Sequence, residues 1–178
     1  AGDRLELESW GSEMTVAGGG TAGGYLLVKA RGQVTLDAEL RAGADLAVES
    51  WKAGVNARRQ LFAGDSKKDS DDVHIRARGD IVLEATVGAG DDVSIESWEG
   101  RVTLVGSVTA GDDIRGKARC DFSYSGSMLA GDDVELRSHR GSLSVQGRLE
   151  AGDDLVLRAC RGQVMIDAEL IAGDRLRV

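Results

Sequence analysis

Apolar and polar side chains alternate along most of this chain, and residues 89–110 show the pattern best. Val93 and Ile95 alternate with polar neighbours and lead to small Ser97. A corner follows at Trp98-Glu99-Gly100, then Val102 and Leu104 alternate up to Gly106, and Val108 and Ala110 close the circuit. Alternation with a period of two places every other side chain on one face, which is the mark of a half-buried strand. No window carries the 3.6-residue recurrence that a helix requires.

The stretch repeats. Its opening Ala-Gly pair returns at Ala1, Ala22, Ala42, Ala63, Ala89, Ala110, Ala130, Ala151 and Ala172, in steps of 21, 20, 21, 26, 21, 20, 21 and 21 residues. The long step holds a six-residue insertion at 66–71, and removing it restores 20. A period of this length signals a solenoid. Short strands separated by glycine corners, without a helix in the repeat, predict an all-β fold, a parallel right-handed β-helix. The expected organisation is one segment, 1–178, of about eight rungs with three short strands each. At the strand spacing of ~4.8 Å the rod is roughly 38 Å long.

Two rungs depart from the pattern. In the third, Ala57 replaces a large apolar residue, and Arg59 stands where other rungs have glycine or alanine. An unpaired arginine cannot be buried there, so the strand is expected to bulge or turn Arg59 outward. In the sixth, Gly116 stands where a large apolar side chain belongs, and Phe122 and Tyr124 are expected to fill the volume.

Composition agrees with stacking. Proline is absent and glycine numbers 25, as expected where interior strands need their N–H groups and each rung turns several corners. The net charge of −8 argues against a nucleic-acid binder, and no apolar run reaches membrane-spanning length. Cys120 and Cys160 fall two rungs apart, about 9.6 Å along the axis, which is beyond disulfide reach, so free thiols are expected. The chain opens and closes in the same repeat phase. It reads either as a piece of a longer solenoid or as a unit that stacks end to end.

Equivalent positions in successive rungs become neighbours in a solenoid, so four columns can be written down. One is small throughout: Ser9, Ala30, Ser50, Ala77, Ser97, Ala118, Ser138, Ala159. A second alternates in sign for six rungs, Glu8, Lys29, Glu49, Arg76, Glu96, Lys117, then ends in Arg137 and Arg158. It reads as a register-setting charge ladder with a positive end. The third, at the first corner, alternates Trp10, Arg31, Trp51, Arg78, Trp98, Arg119, and continues with His139 and Cys160. Its main reading is a clasp in which guanidinium groups stack between indoles. Its alternative is an aromatic stripe that binds a carbohydrate chain or a host or cell-surface protein. The fourth is acidic: Asp3, Asp45, Asp65 and Asp72, then the pairs 91–92, 112–113, 132–133 and 153–154. Aspartate suits turns by accepting local N–H bonds, and calcium is the weaker reading. Arg58, Arg59, Lys67 and Lys68, around the irregular rung and the insertion, form a further candidate contact.

Enzymatic activity is not expected. Neither His74 nor His139 has a nucleophile beside it, and the carboxylates form a ladder instead of an isolated pair. Neither a cofactor nor a resident metal is called for.

The run Leu143-Ser144-Val145-Gln146-Gly147-Arg148-Leu149-Glu150-Ala151-Gly152-Asp153-Asp154-Leu155, with equivalents from Leu104 to Ile114, resembles the haemagglutinin-type repeats of two-partner-secreted exoproteins. Filamentous haemagglutinin-like adhesins and the stalks of contact-dependent inhibition toxins are examples. The resemblance implies a secreted or cell-surface, non-enzymatic rod that projects adhesion or toxin modules. The pattern also resembles bactofilins, which implies the alternative of a self-assembling scaffold or filament subunit.

Overall fold

A computed structural model of the chain describes residues 2–64 and 71–178. The chain is an all-β parallel solenoid of about eight turns. The first rung holds β1 (Arg4–Ser9), β2 (Met14–Val16) and β3 (Gly20–Ala22). The second holds β4 (Tyr25–Ala30), β5 (Val34–Leu36) and β6 (Leu40–Ala42), and the third β7 (Leu46–Ser50), β8 (Val55–Ala57) and β9 (Leu61–Ala63). The fourth holds β10 (Val73–Ala77), β11 (Ile81–Glu84) and β12 (Val87–Ala89).

From the fifth rung the second and third segments run on as one strand. The pairs are β13 (Val93–Ser97) with β14 (Val102–Ala110), β15 (Ile114–Ala118) with β16 (Phe122–Ala130), β17 (Val134–Ser138) with β18 (Leu143–Ala151), and β19 (Asp154–Ala159) with β20 (Val164–Ala172). β21 (Arg175–Arg177) begins a ninth turn. Gly106, Gly126 and Gly147 bend three of these long strands at φ of 126°, 150° and 103°. Glycine adopts such angles without the steric cost of a Cβ, so the strand turns its corner while its pairing continues. Ala168 holds the same place in β20, and nothing in the structure explains why that strand is continuous without a glycine.

Every strand pair is parallel, and the register follows the repeat. Ser9 lies opposite Ala30, Ala30 opposite Ser50, and so on to Ser138 opposite Ala159. The first strands of all rungs form one nine-stranded sheet, and the remaining segments join in a second. Alternation sends Leu26, Leu46, Val73, Val93, Ile114, Val134 and Leu155 inward in one unbroken column, all buried. The small column is buried from Ala30 to Ser138 and half-buried at its ends, Ser9 and Ala159, and its buried serine hydroxyls are satisfied. Ser50, Ser97 and Ser138 Oγ donate to the carbonyls of Gly32, Gly79 and Cys120 at 2.7, 2.8 and 2.6 Å. An unsatisfied buried hydroxyl would be costly, so these bonds let serine stand in for alanine at alternate rungs.

The recurring Ala-Gly pair has a steric origin. The alanines mostly face inward, with Ala22, Ala42, Ala63, Ala110, Ala130 and Ala151 buried. The glycines stack backbone on backbone. A Cβ on Gly111, Gly131, Gly152 or Gly173 would lie 1.7–1.8 Å from the carbonyl oxygen of the preceding glycine in the column. No larger residue fits these turns while the rungs stay at strand spacing.

Both irregular rungs resolve as expected. Arg59 is exposed, in the bend between β8 and β9, while Ala57 is buried. Phe122 and Tyr124 are buried, and the Phe122 ring lies over Gly116. Tyr124 Oη is 3.3 Å from the carbonyl of Gly106, and burial pushes its phenol well above the usual tyrosine range. Both cysteines are free thiols. Among the described residues no helix is long and apolar enough to cross a membrane.

Candidate functional site

The first corner carries the column Trp10, Arg31, Trp51, Arg78, Trp98, Arg119, His139, Cys160. Backbone bonds fix its alignment, because each N–H in it from Arg31 onward donates to the carbonyl of the small residue one rung back, at 2.9–3.2 Å. The residue types follow from position. The corner points outward, so nothing there needs to be apolar for folding. Trp10, Trp51 and Trp98 are 62%, 37% and 47% exposed, and that much exposed indole is available to a ligand or a neighbouring side chain.

The column is not a stack of guanidinium groups between indoles. Trp10 and Trp51 reach across the intervening rung and meet edge to face, with ring centroids 5.2 Å apart. The cation over them is Lys29, from the neighbouring charge column. Its Nζ is 4.4 Å from the Trp51 centroid and 5.9 Å from that of Trp10. Glu49 completes the cluster, 3.8 Å from Lys29 Nζ and accepting from Trp51 Nε1 at 3.3 Å. The long side chains of tryptophan span the rung spacing, and edge-to-face contact is favoured over a gap filled by a hydrated charge. Arg31 is left on the surface beside the pair. Arg78 turns to Glu99, with Nε 2.9 Å from Oε2. The hydrogen bond from Arg78 holds the Glu99 carboxyl below its ordinary range.

Farther along, the same corner opens into a shallow groove of about 370 Å³. Glu96, Trp98, Lys117, Arg119, Arg137, His139 and Cys160 line it. Here two columns meet: the corner column from its last tryptophan, Trp98, onward, and the charge ladder from its last carboxylate, Glu96, onward. The ladder register is as the sequence implies, with Glu8 opposite Lys29, Glu49 opposite Arg76, and Glu96 opposite Lys117. Lys117 then lies opposite Arg137, and Arg137 opposite Arg158. Three like charges thus occupy adjacent strands. Arg137 turns back to Glu135 on its own strand, while Lys117 and Arg158 make no ion pair among the described residues.

The acidic turns divide into two columns with different work. Asp72, Asp92, Asp113 and Asp133 each accept, through Oδ1, the backbone N–H of the equivalent aspartate one rung on, at 3.0–3.1 Å. The outer column, Asp91, Asp112, Asp132, Asp153 and Asp174, stacks through backbone bonds instead. Partial desolvation, then neighbouring carboxylates, raise the Asp112 and Asp153 carboxyls above the usual aspartate range. No group of three or more His, Cys, Asp and Glu is placed to hold a metal among the described residues.

Of the other sequence candidates, Arg58 pairs with Asp37 at 3.1 Å and Arg59 is exposed next to it. Lys67 and Lys68 lie outside the described residues. Sequence reasoning missed Lys29 as the cation over the indoles, and it missed the groove. The signal for the groove was present in the charge column turning positive where the corner column runs out of tryptophan.

Comparison of the chain with protein-family models, curated proteins and solved structures gives no match.

Proposed function

We propose that this chain is a non-enzymatic rod segment of a secreted or surface-exposed bacterial adhesin or exoprotein, of the kind its repeats resemble. The observation that carries the reading is the in-register parallel pairing that runs from β1 to β21 and binds every rung to the next. A solenoid of this kind transmits position along an axis, and each added rung adds stability through its neighbours. The inner aspartates serve the stacking itself, because Asp72, Asp92, Asp113 and Asp133 each accept the backbone N–H of the next rung. Partner contact, by a carbohydrate or a cell-surface protein, belongs to the exposed corner of Trp10, Trp51 and Trp98. The test is labelling of intact cells of the source organism with a membrane-impermeant amine reagent. Labelling of this segment supports the reading, and protection until the cells are lysed overturns it.

A second reading, an end-stacking scaffold subunit of the bactofilin kind, draws on the constant register from rung to rung, which a second copy could continue. Sedimentation of the chain separates the two readings, because rods that lengthen with concentration favour the scaffold.

A further inference from the structure

We propose that the groove between Trp98 and Cys160, lined by Lys117, Arg119, Arg137 and His139, binds a short anionic oligosaccharide, one carrying carboxylate or sulfate groups. The proposal rests on the surface-rod reading only for the kind of ligand such a rod meets. Its test uses the purified chain, so its failure would leave that reading in place.

The first argument is charge. The protein carries a net −8, yet Lys117, Arg137 and Arg158 stand in register on three adjacent strands, with Arg119 on the groove wall. Like charges directly opposite one another destabilise a sheet, and the same column alternates in sign through its preceding rungs. Glu135 pairs with Arg137 and Glu99 with Arg78, and Glu96 lines the groove at its Trp98 end, in register with Lys117. Against that one carboxylate the groove sets Lys117 and Arg119, neither of them in an ion pair among the described residues, and an external anion would answer this excess. Arginine meets carboxylate and sulfate through parallel N–H bonds, and lysine serves as a point charge.

The second argument is shape. The groove runs along the rod axis, with cations at intervals of about 4.8 Å and the half-exposed Trp98 indole at one end. A linear ligand with spaced charges and one flat apolar face satisfies both. Single-stranded nucleic acid is disfavoured, because it calls for successive stacking platforms and an extended basic track. This groove offers one indole, and aspartate turns line other faces of the rod.

The experiment measures binding of a heparin oligosaccharide and of an oligogalacturonate by tryptophan fluorescence, with maltohexaose and oligothymidylate as controls. One or both anionic sugars should bind, more weakly as salt rises, and which of them binds tells sulfate from carboxylate. Lys117→Gln with Arg119→Gln, both on the groove wall, should weaken binding about tenfold, while Arg101→Gln, outside the groove, leaves it unchanged. On the unaltered protein, the bound sugar should slow alkylation of the exposed Cys160 thiol on the groove wall, a readout that needs no variant. The proposal fails if neither anionic sugar binds. It fails equally if a control binds as tightly, or if either the Cys160 alkylation rate or the affinity of the Lys117/Arg119 variant is unaffected.

Discussion

The Phe122 ring occupies the space that a side chain at Gly116 would need: a Cβ on Gly116 would lie 2.6 Å from both Cε2 and Cζ of that ring. Bulk has moved from one wall of the sixth rung to another, and total volume is kept. Phe122→Ala should therefore cost about 3–5 kcal/mol by opening a cavity. Gly116→Val should cost about 1–3 kcal/mol by overpacking. The double variant Gly116→Val/Phe122→Ala, which moves the bulk back to the wall where neighbouring rungs carry it, should cost clearly less than the sum. Urea denaturation of the four proteins tests this, and strict additivity would show that the two sites do not share one volume.

The stacked glycines make a sharper contrast. A Cβ on Gly131 would sit 1.8 Å from the Gly111 carbonyl oxygen, whereas one on Gly11 meets nothing within 4 Å. Gly131→Ala is expected to destabilise by at least about 1–3 kcal/mol through forced rung separation. Gly11→Ala should be neutral or stabilising by up to ~1 kcal/mol through the unfolded chain. Thermal melts of both variants give the comparison, and similar midpoints would contradict the steric account.

The Lys29 cluster predicts a spectroscopic effect. Lys29→Met keeps the aliphatic stem but removes the charge over Trp10 and Trp51. Stability should fall by about 0.5–1 kcal/mol, with a change in tryptophan emission. Arg31→Met, in the corner column beside the indoles but not over their faces, should change both much less. An equal emission change in both variants would mean that the indoles respond to the surface at large.

What the sequence disclosed, and what it withheld, follows from the range of each interaction. The rung period, the inward faces and the alignment of every column depend on backbone stacking, which admits one register for a given repeat. They could be read directly, as the pairing of Glu8 with Lys29 illustrates. The corner clasp could not. Which cation lies over Trp51 depends on side-chain reach and rotamer, and Lys29, in the adjacent column, reaches better than Arg31. The fused strands also escaped, because the left-handed angle at Gly106 turns a corner without ending the pairing, while a glycine in a pattern of alternating residues reads as a break. The groove was half legible. The positive end of the charge column was visible, but its meeting with Trp98 and His139 needed both columns placed side by side.

The outer aspartate column gives a pH dependence with a definite sign. The Asp112 carboxyl is raised by partial desolvation and then by Asp132 and Asp91, and Asp153 likewise by desolvation and then by Asp174 and Asp132. A carboxyl whose folded pKa lies above its unfolded value binds protons more tightly in the folded state. The folded state therefore gains relative stability as pH falls through that range, and loses it as pH rises to neutrality. At pH 7 the stacked carboxylates repel and the column is a net cost. Asp112→Asn/Asp153→Asn should then raise the melting midpoint at pH 7, and the gain should vanish below about pH 3, where the unfolded carboxyls are protonated too. Added salt should narrow the difference at pH 7 by screening these exposed charges. Melts of the two proteins across pH and salt decide it. A variant that is less stable at pH 7 would mean that these carboxylates act as ligands to the turns, as Asp92 and Asp113 do, and not as mutually repelling charges.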